Sequence, residues 1–286
     1  MDAETARKQQ KIEWALSAPG WLAHRDELEG RGHGVMTPRL LGRLGLTRGD
    51  RVLDLACGIG NPSGEIARVV GDEGEVLGLD LSPEMIDGAR RWAADRGLTN
   101  VSFEAVENEH ELGVTPGSFD AACCRVGLQY LPEPAAALRS LHTALRPGGR
   151  LAVCTLGSAE RCMAFTISSA VIDRYAPPRP AAGEAPGPVS LSDAARLKEL
   201  VESAGFREVS VETFETVLIE TDSAVAAWEL FEETMGPLMR LAESLTADRR
   251  AALHEDGVRA MRHRFPSGPV HLTGQVLLAA GTTPAS

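Results

Sequence analysis

The amino-acid sequence predicts an α/β protein with a mostly parallel, doubly wound sheet. Strand and helix patterns alternate between residues 51 and 155, which is typical of a parallel sheet with helices on both faces. The apolar run 51–55 breaks into a turn with glycine at positions 58 and 60. A second apolar run, 75–79, is followed directly by Asp80. A ligand site is therefore expected where these two strands end.

The remaining elements of this core follow in chain order. Ser82 precedes a helical pattern whose first turn holds Pro83, so it is predicted to cap that helix. Short strands are predicted over 101–105 and 119–125, and the second is nearly all apolar, as a strand buried on both faces should be. A helix over 135–145 and a strand over 150–155 complete the core.

The alternation loosens beyond residue 156. A helix over 192–204 and a half-buried strand over 208–213 are predicted. The segment 222–265 is predicted to form two helices broken near Gly236 and Pro237, and the segment 270–280 to form the last strand. Proline recurs through residues 176–188, which indicates a loop or lid rather than a helix or strand.

The overall composition narrows the function classes. The 29 basic and 40 acidic residues give a net charge of −11, which disfavours nucleic acid and anionic membranes as partners. Four of the five cysteines fall in or beside apolar runs, so they are expected to be reduced core residues. No apolar run is long enough for a membrane span, and none follows the first residues as in a signal peptide. A cytoplasmic enzyme is expected, and its oligomeric state stays open.

The glycine turn is predicted to hold an adenosine-containing cofactor, with backbone N–H groups near Gly58 and Gly60 facing it and Asp80 binding the ribose hydroxyls. A dinucleotide fingerprint would need a third glycine where Ser63 stands. Asp54 would also bring a negative charge near a pyrophosphate. These features favour the cationic S-adenosylmethionine over NAD, although Asp54 could also only cap a turn.

Four motifs in this order carry a resemblance to a known family: residues 52–62 (VLDLACGIGNP), 78–82 (GLDLS), 117–121 (GSFDA) and 145–151 (LRPGGRL). The chain resembles the class I S-adenosylmethionine-dependent methyltransferases, in particular the ubiquinone/menaquinone-type small-molecule branch. The resemblance implies a Rossmann-like, seven-stranded sheet with its last strand antiparallel and a helical cap. The implied single domain comprises N-terminal cap helices over 1–50, a cofactor-binding core over 51–156, a cap and acceptor-binding insertion over 157–266 with a strand near 208–219, and a final strand over 267–286.

The resemblance also implies roles for individual residues. The glycine turn would pack against the methionine part of the cofactor, Asp80 would bind the ribose and Leu81 the adenine face. The adenine amino group would meet Glu107 and the N–H of Asn108, although a solvated loop acid is an equal interpretation of Glu107. Arg125 would pass the methionine amino group or serve as a structural ion-pair partner. The implied cofactor-binding set is Asp54, Ala56, Gly58, Gly60, Asp80, Leu81, Glu107, Asn108 and Arg125.

Methyl transfer needs little catalytic apparatus beyond alignment in a dry pocket, and a base only for some acceptors. His24 and Tyr130 are the candidate catalytic residues, because the first lies in a segment that covers the cofactor in relatives and the second follows strand 119–125. No metal ligands follow that strand, so metal-independent transfer to a small organic acceptor, a natural-product or quinone-like metabolite, is predicted. The alternatives are a cyclase or rearrangement catalyst that uses the sulfonium, and a non-catalytic cofactor-binding protein.

Overall fold

A single seven-stranded sheet forms the centre of the computed structural model, which describes residues 2–25, 27–28, 35–176 and 185–285. The strand order is β3-β2-β1-β4-β5-β7-β6, and β7 runs antiparallel to both β5 and β6 while the other neighbours pair in parallel. The predicted fold class is confirmed, including the antiparallel last strand. The strands are β1 Arg51–Leu55, β2 Glu75–Asp80, β3 Val101–Ala105, β4 Phe119–Arg125, β5 Leu145–Leu156, β6 Arg207–Thr221 and β7 Val270–Thr282.

Ten α-helices surround the sheet in the described part of the chain. They are α1 Ala3–Ala23, α2 Met36–Leu44, α3 Ser63–Val70, α4 Pro83–Asp95, α5 Pro134–Ala144, α6 Met163–Ile172, α7 Ala194–Ser203, α8 Ala224–Thr234, α9 Gly236–Ser244 and α10 Ala247–Arg264. The Ser82 side chain caps α4 by accepting from the Met85 N–H, as predicted.

The prediction of two helices over 222–265 is wrong, because this segment forms three. The break at Gly236 is where the sequence placed it. A second break follows Ser244, since the Thr246 side chain accepts from the Arg249 N–H and so starts α10 as a new helix. These helices pack around the fully buried Trp228 and form a separate apolar core in the cap.

The sheet carries a core on each face because successive strand residues point to opposite sides. In β1, Leu53 and Leu55 belong to one apolar cluster and Val52 to the other. All five cysteines are free and buried, which confirms their assignment as reduced core residues. Of the proline-rich loop, residues 177–184 lie outside the described residues. None of the described helices is both long and apolar enough to cross a membrane.

Candidate active site at the carboxyl ends of β1, β2 and β4

The turn after β1 departs from right-handed backbone geometry at three positions. Ala56, Gly58 and Gly60 have φ angles of 59°, 54° and 98°, a region that non-glycine residues adopt rarely. A side chain added at Gly58 would meet no atom within 4 Å, so the turn borders open space there. The open side of Gly58 is where a ligand can approach the backbone closely.

The N–H groups of Gly58 and Gly60 do not face that space, contrary to the expectation from the sequence. The Gly58 N–H donates to the Asp80 carboxylate at 2.9 Å, and the Gly60 N–H donates to the Cys57 carbonyl at 3.0 Å. A pyrophosphate would need such N–H groups as donors. Because the protein itself already uses them, the turn fits a cofactor without phosphate better than a dinucleotide.

Asp80, the last residue of β2, accepts hydrogen bonds from the backbone on both of its carboxylate oxygens. One of its carboxylate oxygens accepts from Gly58 N–H and the other from Ser82 N–H, both at 2.9 Å. Burial raises the pKa of Asp80, while the hydrogen bonds from these two N–H groups lower it. Each carboxylate oxygen has a second acceptor position, so the fixed carboxylate fits a pair of ribose hydroxyls. The side chain of Leu81, next to Asp80, is 8% exposed.

Asp54 lies inside the sheet rather than at the open turn. It is fully buried, and its two oxygens accept from the Ser63 hydroxyl at 2.5 Å and the Cys123 thiol at 3.4 Å. Ser63, which stands where a dinucleotide fingerprint has its third glycine, therefore ties the start of α3 to β1. Burial raises the pKa of Asp54 to about 6.

The buried Asp54 makes the stability of the protein depend on pH. Its pKa of about 6 lies above the ordinary value of 3.8, so the folded state binds more protons between pH 4 and 6, and stability falls as the pH rises through that window. Asp54→Asn removes this dependence, and its stability relative to wild type should increase from pH 4 to pH 7 by up to about 3 kcal/mol. Urea unfolding of both proteins across this range measures the difference, and a pH-independent difference would contradict the assignment.

Of the other predicted cofactor residues, Arg125 lies at the glycine turn and Glu107 lies at the surface. Arg125 is buried and donates to the Asn61 carbonyl at 2.9 Å, which links the end of β4 to the glycine turn. The Glu107 side chain is 91% exposed and pairs with Lys11 at 2.6 Å. The Asn108 side chain accepts from the N–H groups of the two residues at 110 and 111. The structure thus brings Arg125 to the turn but directs Glu107 to the surface.

Helix α1 lies across the site as a cover. Trp14 packs edge-on against Tyr130 with ring centroids 5.2 Å apart. Ala18 forms a buried cluster with Ile59 of the glycine turn and Met85 of α4. The sequence pattern of α1 conceals this role, because polar side chains occupy much of its buried face: Gln10, Glu13 and Ser17.

The two predicted catalytic residues occupy different environments. His24 follows α1, and its Nε2 lies 2.8 Å from a carboxylate oxygen of Glu233, at a side-chain exposure of 27%. Tyr130 lies under α1, where burial and the nearby Glu13 raise the pKa of its hydroxyl. A phenol that stays protonated is a hydrogen-bond donor rather than a base.

A buried ion pair fixes the N-terminal part of α1 to the core. Arg7 donates to both Glu109 oxygens at 2.8 and 3.0 Å and to Glu133 at 3.2 Å. Glu109, His110 and Glu133 are the group with metal-ligand spacing in the described part of the chain. Arg7 already supplies the positive charge there. The hydrogen bonds from Arg7 hold the pKa of Glu109 below its usual range, although burial raises it.

Removing Arg7 should release this end of α1. Arg7→Met leaves the fully buried Glu109 side chain without its cation and should lower the free energy of unfolding by about 3 kcal/mol near pH 7. The loss should shrink at low pH, where Glu109 is protonated in either protein. Lys8→Ala is the matched control, because Lys8 and Glu4 are 72% and 74% exposed and such pairs contribute little. Equal unfolding midpoints for the two variants would refute the role of Arg7.

Comparisons with known proteins agree with this geometry. The protein-family model described as a methyltransferase domain matches residues 46–178. The ubiquinone/menaquinone biosynthesis C-methyltransferase UbiE of Yersinia pestis is 39% identical over 110 residues, which cover 38% of this chain and 43% of that protein. The corresponding protein of Yersinia pseudotuberculosis gives the same values. The match thus spans less than half the length of these curated relatives.

Two solved structures share the fold over nearly the whole chain. The [4+2]-cyclase SpnF has a TM-score of 0.62 and 20% identity, with coverage of 98% of this chain and 97% of that one. Haemonchus contortus phosphoethanolamine N-methyltransferase 2, solved with phosphomonomethylethanolamine and S-adenosylhomocysteine, has a TM-score of 0.59 and 17% identity, with coverage of 93% and 57%. At these identities the likeness concerns the fold.

The glycine turn, the fixed acid after β2 and the sheet order are the features of an α/β domain that can hold a nucleoside at the carboxyl ends of its strands. Residues 46–178, which contain β1–β5, the glycine turn and Asp80, are similar to the methyltransferase-domain family, and 110 residues of the chain are similar to a C-methyltransferase.

Proposed function

We propose that this chain transfers a methyl group from S-adenosylmethionine to a small organic acceptor, a natural-product or quinone-like metabolite. The observation that carries the proposal is the fixed Asp80 beside a glycine turn in which the Gly58 and Gly60 N–H groups already have acceptors within the protein. The Asp80 carboxylate can accept from hydroxyl groups, and those two N–H groups are not available to a phosphate. A cytoplasmic location belongs to the same proposal, supported by the five free cysteines.

The proposed cofactor contacts follow from where each residue lies relative to the glycine turn. Asp80 binds the ribose hydroxyls, Leu81 borders the adenine, and the backbone of Ala56, Gly58 and Gly60 packs against the methionine part. Arg125 fixes the turn through Asn61. The two aspartates give the site negative charge for a cationic ligand, Asp54 from within the sheet and Asp80 from its edge.

When bound, S-adenosylmethionine supplies a methyl group that its sulfonium activates for in-line displacement. The protein then has to exclude water and align the acceptor. Helix α1 excludes water, since Trp14 and Ala18 lie over Tyr130 and the glycine turn respectively. Tyr130 serves the acceptor as a hydrogen-bond donor. His24, whose Nε2 lies 2.8 Å from a Glu233 oxygen, is the candidate base for an acceptor whose proton must be removed.

The test is transfer of label from methyl-tritiated S-adenosylmethionine to a panel of phenols, hydroquinones and amines, with S-adenosylhomocysteine measured in parallel. Labelled product and S-adenosylhomocysteine in equal amounts are expected. The likeness in fold to a [4+2]-cyclase over 98% of the chain makes one rival worth testing on the same samples. A rearranged product without S-adenosylhomocysteine would support the cyclase alternative, and tight cofactor binding without any product would support a binding protein.

A further inference from the structure

Within the described part of the chain, the buried side-chain amide of Gln129 has no hydrogen-bond partner. The Gln129 residue is 1% exposed, and neither its side-chain oxygen nor its nitrogen makes a hydrogen bond to any described residue. An unpaired buried polar group reduces stability, and native proteins contain few of them. Each such group requires an explanation, and a bound ligand is one partner that would satisfy it.

The position of Gln129 is set by its backbone. It lies in a short 3₁₀ helix, Leu128–Tyr130, that follows β4. Its carbonyl accepts from Gly187 N–H at 2.9 Å and from the Ser190 hydroxyl at 2.7 Å. The unpartnered amide is therefore attached to a backbone whose carbonyl is fixed by two hydrogen bonds, which suits a residue that must present a group at a fixed place.

Gln129 follows β4, near the crevice where the strand order reverses. β1 and β4 are neighbours whose chain connections leave in opposite directions, and ligands of such sheets bind at the carboxyl ends of those strands. Gln129 is four residues past the end of β4, and its neighbour Tyr130 packs against Trp14 of the covering helix. Burial raises the pKa of Tyr130, and the nearby Glu13 of α1 and Cys162, just before α6, raise it further.

The geometry points to Gln129 as the residue that positions the methyl acceptor, by hydrogen bonds from its amide to a hydroxyl or carbonyl oxygen of a neutral, planar ring. This inference rests on the proposed function and specifies its acceptor. Trp14, Trp21 and Tyr130, the residue that follows Gln129 in the chain, supply flat aromatic surface past the end of β4, with the two tryptophan rings 6.3 Å apart.

Charge on the described residues favours an uncharged acceptor. The buried arginines near the crevice, Arg25 and Arg125, donate to the carbonyls of Ile59 and Asn61 in the glycine turn, so they serve the turn rather than an acceptor phosphate. The buried Glu13 carboxylate is 3.2 Å from Arg240, so an acceptor ammonium would compete with a cation that is already there. An amide, which both donates and accepts, matches a hydroxyl or carbonyl.

The test compares wild type with Gln129→Leu, which removes the amide at similar size. Each protein is saturated with S-adenosylhomocysteine, and binding of 1,4-naphthalenediol is measured by calorimetry. The dissociation constant is expected to rise about tenfold or more in Gln129→Leu, while the affinity for S-adenosylhomocysteine stays unchanged. Naphthalene, which lacks hydroxyl groups, should bind both proteins alike.

Thermal unfolding without acceptor separates positioning from a structural role. Because the amide is unpaired in the free protein, Gln129→Leu should raise the melting temperature by about 2 °C or more. Thr221→Val is the matched control, since the buried Thr221 hydroxyl does have a partner, the Ser223 carbonyl at 3.1 Å. It should lower the melting temperature and leave diol affinity unchanged.

Three outcomes would overturn the inference: a lower melting temperature for Gln129→Leu, unchanged diol affinity in that variant, or no diol binding by wild type. Because the diol is measured with the demethylated cofactor bound, the result does not depend on turnover. A protein that binds the diol through Gln129 but produces no S-adenosylhomocysteine in the transfer assay would refute the proposed methyl transfer alone.

Discussion

Asp80→Ala is expected to weaken binding of S-adenosylmethionine by more than tenfold. The substitution removes the acceptor for the ribose hydroxyls, and hydrogen bonds to a charged group contribute about 1.5–3 kcal/mol. It also leaves the N–H groups of Gly58 and Ser82 without the carboxylate that both now use. The loss is therefore expected in the enthalpy of cofactor binding measured by calorimetry, with a smaller loss in thermal stability.

Asp80→Asn tests the same assignment without a change in side-chain shape. An asparagine has the same shape, but its NH₂ group would face one of the two backbone N–H donors, so the turn cannot keep both hydrogen bonds. We expect it to bind the cofactor nearly as weakly as Asp80→Ala. Asp87→Ala is the control, because Asp87 is 60% exposed on α4 and should leave affinity unchanged. Wild-type affinity in Asp80→Ala would refute the assignment of the ribose site.

Gly20→Ala is expected to detach the covering helix. A side chain at Gly20 would overlap the carbonyl of Glu233 in α8, so two helix backbones touch at this point. A second close approach to α1 lies nearby, because a Cβ at Gly236 of α9 would lie 2.8 Å from the Glu13 carbonyl oxygen. Neither backbone can move without disturbing its helix, and overpacking of this kind typically costs about 1–3 kcal/mol.

The expected readouts of Gly20→Ala are faster hydrogen exchange across α1, a lower melting temperature and weaker cofactor binding. Binding weakens because Ala18 and Trp14 are part of the same helix and cover the glycine turn and Tyr130. Gly42→Ala in α2 is the matched control, because a side chain there would meet no atom within 4 Å. It should stabilise the protein by about 0.5–1 kcal/mol. Equal behaviour of the two variants would show that α1 does not depend on this contact.

The core strands and the acid after β2 were predictable because local signals encode them. Alternation of strand and helix patterns, the Ser82 cap and the apolar β4 each depend on residues close together in the chain. The direction of the Gly58 N–H was not predictable, since it depends on a carboxylate 22 residues away. The third helix of the cap was missed because its start is marked only by the Thr246 cap.

Helix α1 shows most clearly what the pattern of residues could not reveal. Its buried face carries Gln10, Glu13 and Ser17, so hydrophobic periodicity gives no sign of which side faces the protein. The sequence alone determined the sheet, the glycine turn and the position of Asp80, because strand burial and turn chemistry are local properties. Only the tertiary structure decided that Arg7, Gly20 and Trp14 hold a cover over the site and that the Gln129 amide is left unpaired. These features depend on contacts between segments distant in the chain, which no local pattern records.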